Sequence, residues 1–340
     1  MNFIFSEETD FSTNRVIDWL YYYNSKYEKF IGYGESKDLY TFNDKKYSIT
    51  FGGKNNIESN SIFTNNENVN INSTWFRRPY KYADHFSSDF DYEENAYPAG
   101  KLHNAINSRF KVFWDFIGYK LEEYHHLGSF QTNSLNKPIV LHEAQKLGLI
   151  IPKTIVTNSL DDLHSFFIDC NKKIITKSIH EVIIDHRHEI KKDEFIFLYQ
   201  MTKLITELDD DVPKIFAPSL FQEYIDKEYE IRTIYINGEC YSAAIFSQLN
   251  EQTEIDMRNR DANRPSRYIP YKLDDSIENK LHKLMIKLGL KFGAIDLIKS
   301  KDGEYYFLEI NPVGQYGDVS MICNYYLHKK IAEYLVNTAN

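Results

Sequence analysis

The 340-residue sequence has no run of about 18 consecutive apolar residues, so no membrane-spanning helix is expected. It has no surplus of positive charge either. With 40 Lys and Arg against 49 Asp and Glu, the net charge is −9, which argues against a duplex nucleic-acid binder. Cysteine is scarce. Cys170, Cys240 and Cys323 are too few and too widely spaced for a disulfide framework or a zinc motif. The opening run, Met1-Asn2-Phe3-Ile4-Phe5-Ser6-Glu7-Glu8, turns acidic where a signal peptide would be basic and then apolar. These absences leave a reduced, cytoplasmic globular protein as the expectation, long enough for two or three packed domains.

What is present reads as α+β. Residues 2–5 form a strand and about 13–23 a helix. Leu39–Phe42 and Tyr47–Phe51 suggest a hairpin, followed by an Asn-rich polar stretch, 54–74, that reads as loop. Trp75-Phe76-Arg77-Arg78-Pro79 reads as a strand ending at proline. Helical spacing runs over 97–126. Pro138 opens another helix, which Gly148 closes. Ser159 starts a helix to about Cys170, and Lys173–Lys177 is a strand. Leu220–Ile225 is extended. Tyr229–Ile236 and Glu239–Phe246 flank Asn237-Gly238, a strong hairpin signal. A charged loop, 248–267, precedes a helix through Leu281 and Met285, then two strands and a C-terminal helix. The boundaries expected from this are 1–127, 128–215 and 216–340.

The sharpest chemistry lies near the C-terminus. If Asp302-Gly303 is a two-residue turn, Asp296 faces Glu309, with Asn311 on the same face two residues on. The same count pairs Leu297 with Leu308 and Ile295 with Ile310 on the other face. Opposed carboxylates repel, and a hard divalent cation would remove that repulsion. Oxygen-only donors favour Mg²⁺, which commonly also takes substrate phosphates. Glu230 and Arg232 share one face of their strand. The preceding Gln222-Glu223-Tyr224-Ile225 offers extended backbone that suits an adenine edge, and an ordinary salt-bridged strand explains these residues equally well. Lys177 ends an apolar strand and Lys137 begins a helix. Both places suit phosphate, and each lysine alone also fits a solvated surface. Arg258, Arg260, Arg264 and Arg267 crowd the charged loop, matching a carboxylate-rich partner. His186-Arg187-His188 and His125-His126 read as solvated or helix-end histidines rather than metal ligands.

Over about 130–335 this order of residues resembles the ATP-grasp superfamily, most specifically in Asp296 followed by Glu309-Ile310-Asn311. The resemblance implies an ATP-grasp fold: an N-terminal pre-ATP-grasp α/β domain and two α+β subdomains clasping ATP. It implies that Lys137 and Lys177 contact phosphates, that Gln222–Ile225 form the hinge at the nucleotide, with Glu223–Ile225 holding adenine, and that Glu230 holds ribose. Asp296, Glu309 and Asn311 would carry Mg²⁺. One departure is visible: after Lys177 the chain reads Ser178-Ile179-His180-Glu181, without the glycine-rich phosphate loop of many such enzymes. Trp75–Pro79, Asp256-Met257-Arg258, Glu309–Tyr316 and the C-terminal run from Cys323 resemble, more narrowly, graspetide (microviridin-type) peptide macrocyclases and grasp-with-spasm maturases. That likeness implies a homodimer and a ribosomal precursor peptide whose Asp or Glu side chains are joined to Thr, Ser or Lys. Arg258 and Arg232 are the expected catalytic residues. An amino-acid ligase of the same fold and a non-catalytic peptide-binding scaffold are the competing readings.

Overall fold

The computed structural model describes residues 1–7, 9–31, 39–42, 47–51, 60–64, 70–78, 108–109, 112, 115–132, 134–179, 188–191, 194–196, 202–208, 212–259 and 261–337. They form two compact units, 1–133 with 326–340, and 134–325. The last helix, Leu327–Val336, thus belongs with the N-terminal unit and not with the third region expected from sequence.

The first unit is built on a parallel sheet of order β2-β1-β6-β7, from β1 (Asn2–Ser6), β2 (Tyr27–Ile31), β6 (Ser73–Phe76) and β7 (His125–Leu127). All five residues of β1 are buried, as a central parallel strand requires. Phe11–Tyr22 is the crossover helix between β1 and β2. Asp10 caps it by accepting from Ser12 N. The helical pattern expected over 97–126 is helical at 115–121, but its end differs: His125–Leu127 is β7. The rest of that pattern lies largely outside the described residues. β3 (Leu39–Phe42) and β4 (Tyr47–Phe51) form the expected hairpin. The Asn-rich stretch is not all loop: Asn60–Thr64 is β5, paired with β4.

The two arginines that follow β6, Arg77 and Arg78, have a physical reason. Arg77 and Asp10 are both buried, with Nε 3.2 Å from Oδ2. Ser6 and Thr13 hydroxyls also donate to Asp10. Removing either charge would strand the other, a loss of about 3–5 kcal/mol.

The second unit holds two larger antiparallel sheets and a short pair, β10 (His188–Lys191) with β11 (Glu194–Ile196). One sheet has order β12-β9-β13-β8, from β8 (Thr154–Ser159), β9 (Ile174–Lys177), β12 (Lys203–Ile205) and β13 (Ile215–Glu223). The helix Leu160–Asp169, capped by Ser159, packs Leu163 and Phe167 against Ile174 and Phe221. The other has order β16-β15-β14-β17-β18, from β14 (Lys227–Ile236), β15 (Glu239–Ile245), β16 (Tyr268–Tyr271), β17 (Phe292–Ser300) and β18 (Tyr305–Asn311). Asn237 and Gly238 both have positive φ, 42° and 105°, as the β14–β15 turn needs. Helices Lys137–Lys146 and Asp275–Lys287 share one apolar core with this sheet. Val140, Leu141, Leu281, Leu284 and Met285 meet Ile231, Ile295, Leu297, Phe307 and Ile310. Alternation then turns Glu230, Arg232 and Asp296 to the opposite face.

Candidate active site

The β17–β18 hairpin reaches the expected carboxylate pair by two departures that offset each other. Its turn has three residues, 301–303, closed by Ser300 N donating to Glu304 O at 2.9 Å, with Gly303 at φ 87°. A bulge between Asp296 and Leu297 then restores the count, so Asp296 lies opposite Glu309 and Ile295 opposite Ile310. Leu297 pairs with Phe307, not Leu308. The extra residue also explains why Phe307 and Ile310, three apart, both enter the core.

The two carboxylates are held apart in charge by the chain's own cations. Arg232 Nη1 donates to both Asp296 oxygens at 3.0 Å. Its Nε donates to Gln315 O at 3.1 Å. Glu309 Oε2 lies 3.1 Å from Lys137 Nζ and 3.6 Å from Lys177 Nζ. Three elements therefore converge on Glu309: the first residue of a helix, the end of β9, and β18. Asn136 caps that helix by accepting from Ile139 N at 3.1 Å. Lys137 also donates to Ser178 O at 3.0 Å, so it ties down the segment just after β9.

The electrostatics arise from this crowding. Burial pushes the Glu309 carboxyl up, but the Lys177 and Lys137 ammonium groups outweigh it and bring it to about 2. Asp296 moves the other way: burial and the neighbouring Glu309 outweigh Arg232 and raise it. Burial also lowers Lys177, although Glu309 opposes the shift.

Arg258 stands on the loop between β15 and β16. Asp256, buried, accepts from its backbone N at 2.9 Å and from its Nε and Nη2 at 2.9 and 2.6 Å. Asp256 also accepts from Thr202 N at 3.0 Å, just before β12, so it joins the loop to the first sheet. The charge of Arg258 is felt by both Glu309 and Asp296. In the sequence Asp256 stands out only as part of the Asp256-Met257-Arg258 run. Its role as an anchor is visible once Thr202 is beside it.

The remaining candidates sit mostly on β13, β14 and β18. Gln222 is fully buried and donates to Thr154 Oγ1 at 2.9 Å. Glu223 N and Tyr224 N donate to Lys153 O and Lys173 O, while Glu223 Oε1 accepts from Lys153 N at 2.7 Å. Ile225 lies after β13 in the link to β14 and is half-buried. Asn311 Oδ1 accepts from Val313 N at 2.9 Å, on the strand position opposite Ala294. Glu230 is buried and already engaged by Lys227 and Ser247. Residues 180–187, the stretch where a glycine-rich phosphate loop would stand, lie outside the described residues, as does Arg260. Sequence reasoning missed Gly314. A Cβ there would meet the Ala294 Cβ at 2.3 Å, so only glycine lets the loop bring the Gln315 carbonyl to Arg232.

The donor set fits Mg²⁺. Asp296 and Glu309 lie opposite each other in the register, Asn311 follows two residues on along β18, and Glu309 is ionised at neutral pH. Two carboxylates leave most of an octahedral shell to phosphate and water.

No family model and no curated protein matches the sequence. Solved structures do. An ATP-grasp ligase of Chryseobacterium gregarium associated with ribosomally made, modified peptides (RiPPs), solved with ADP and a leader and core peptide, has 23% identity over 100% of this chain and 97% of its own, with a TM-score of 0.76. The macrocyclase MdnC of Microcystis aeruginosa MRC, bound to precursor peptide MdnA, has 26% identity over 99% of both chains and a TM-score of 0.73. The ATP-grasp ligase PsnB, with Mg and ADP, has 14% identity over 100% and 98%, and a TM-score of 0.71. The chain therefore has the ATP-grasp fold along its whole length and resembles the peptide-modifying ligases that share it.

Proposed function

We propose that this chain is an ATP-dependent ligase that closes rings in a ribosomal precursor peptide, activating Asp or Glu side chains and joining them to Thr or Ser, giving ω-esters, or to Lys, giving ω-amides. The observation that carries the reading is the set Lys137, Lys177, Arg232, Asp296 and Glu309, gathered from separate elements around one carboxylate pair.

A peptide carboxylate is a poor electrophile. Transfer of a γ-phosphoryl group to its oxygen, with ADP leaving, gives an acyl phosphate. A peptide hydroxyl or amine then attacks the acyl carbon, and inorganic phosphate leaves. In this reading Lys137 and Lys177 hold phosphate oxygens, the positions from which they now reach Glu309. Asp296, Glu309 and Asn311 would hold Mg²⁺, which when bound neutralises charge on the phosphates. Arg258 faces the transferring phosphoryl group, and Arg232 orients Asp296 and the incoming carboxylate. The Gln222–Ile225 link takes adenine. Holding both side chains on one peptide makes the second step effectively intramolecular and favours ring closure over hydrolysis. The two clasping subdomains of this scheme are those expected from sequence, 128–215 and 216–340, the second without its last helix, which belongs with the first unit. The family resemblance adds a homodimer, and the scarce, widely spaced cysteines a cytoplasmic setting.

The test is nucleotide release. With ATP, Mg²⁺ and the precursor peptide, the chain releases ADP and phosphate only when peptide is present. Arg258→Ala loses at least about tenfold in turnover, as expected for one charged contact to the reacting group. ADP release driven by free glutamate, not peptide, would favour an amino-acid ligase.

A further inference from the structure

The first unit carries a charged cluster that the reaction scheme does not use. Its four-stranded sheet is parallel throughout, and the order of strands reverses at β1. The helix Phe11–Tyr22 leads from β1 to β2 on one side, whereas β6 lies on the other. The carboxyl ends of β1 and β6 are therefore a topological switch point, the crevice where open α/β sheets take ligands. β1 runs out there into Glu7, and β6 into Arg77 and Arg78. Both arginine backbone amides donate to the Phe5 carbonyl, at 3.0 and 3.2 Å, so the two strand ends stay side by side.

The two arginines differ. Arg77 is fully buried against Asp10, itself buried, and belongs to the interior. Arg78 keeps 25% of its side chain exposed, and Glu7 beside it 34%. Arg78 Nη1 donates to Glu7 Oε2 at 3.0 Å, and its Nε stands 3.9 Å from Asp10 Oδ2. A guanidinium has five N–H donors in a planar fork. Among the described residues the Arg78 fork donates only to Glu7, so the two acids orient it and leave donors for a further carboxylate.

The local field is positive although the chain as a whole is acidic. His328, on the last helix, is brought down to about 4 by burial and by the Arg15 and Arg77 charges, against the opposing pull of Asp10. The helix Phe11–Tyr22 starts at the same edge, and its dipole adds to that field.

We propose that this switch point, with Arg78 as its fork, is a docking site for an Asp or Glu side chain of the substrate peptide. The choice of a peptide carboxylate rests on the ligase reading given above. A carboxylate matches the planar fork of a guanidinium, and Glu7 occupies Arg78 as a competing carboxylate of the chain's own.

Binding to the full-length chain tests it. The probes are a fluorescently labelled hexapeptide of alternating Glu and Thr, and the same peptide with Gln in place of Glu. The wild type prefers the acidic probe. Arg78→Ala cuts that preference by about tenfold, as expected for one charged fork. Arg78→Lys, which keeps the charge without the fork, restores only part of it. Glu7→Gln moves the other way, because its competition is gone, and tightens the acidic probe by at least about twofold. Glu7→Gln also carries the test if Arg78→Ala does not fold. A salt bridge kept for stability alone would lower the melting temperature in both variants and leave the preference at its wild-type value. That result, or a wild type without preference, would overturn the docking site. The readout is binding without turnover, so ring closure by a chain lacking this preference would leave the ligase reading intact, whereas a chain with the preference that never forms ADP would overturn the ligase reading alone.

Discussion

At the scale of single residues, the site is a balance of charges that the chain supplies for itself. Glu309 is ionised because two lysines reach it, and Asp296 is quieted by Arg232. This has a pH consequence. The folded carboxyl of Glu309 sits near 2, below its ordinary 4.5, so the unfolded chain takes up its proton first as pH falls. Its contribution to stability is complete above the unfolded value and is lost as pH drops from 4.5 toward 2. The difference in melting temperature between the wild type and Glu309→Gln, measured without nucleotide, is therefore flat above about pH 5 and shrinks below it. A difference that grows on acidification would contradict the pairing. Gly314→Ala is the steric counterpart. With a Cβ 2.3 Å from that of Ala294, the loop must move away, and Arg232 loses the Gln315 carbonyl. Chemical denaturation should show a loss of about 1–3 kcal/mol, with weaker peptide-dependent turnover beside it.

At the scale of elements, much was legible because the signals were local. Asn237-Gly238 specifies its own turn, Ser159 caps one helix and Pro138 opens another, and the apolar spacing of 277–288 fits one helix face. The β17–β18 hairpin shows where legibility ended. Asp-Gly names a turn but not its length: Ser300 closes a three-residue loop, and a bulge farther on compensates. Nothing in alternation announces a bulge, since Leu308 is as apolar as Phe307 before it. Gly303 tests the observed turn. Its φ is 87° and a Cβ there would meet nothing, so Gly303→Ala costs only backbone strain, about 1–2 kcal/mol, and leaves nucleotide affinity unchanged. No loss of stability would contradict the left-handed backbone at Gly303. His125–Leu127 was hidden for a different reason: three residues of strand after a helical pattern owe their state to pairing with Ser73–Trp75, more than forty residues away.

At the scale of the whole molecule, the acid pair and the lysines were readable as types at spacings, whereas their convergence was not. Sequence placed Lys137, Lys177 and Glu309 on separate elements; the fold brings both ammonium groups within 3.6 Å of one oxygen. The return of Leu327–Val336 to the first unit was equally out of reach, because its apolar face, Ile331, Ala332 and Leu335, would suit any partner. The central claim, that this ATP-grasp fold closes rings in a peptide, is tested most directly by intact-mass spectrometry of a precursor peptide after incubation with the chain, ATP and Mg²⁺. Ring closure predicts loss of one water per ring, ADP formed in step, and no change with Asp296→Ala. A peptide that stays at its starting mass, or gains the mass of an added amino acid, would contradict it.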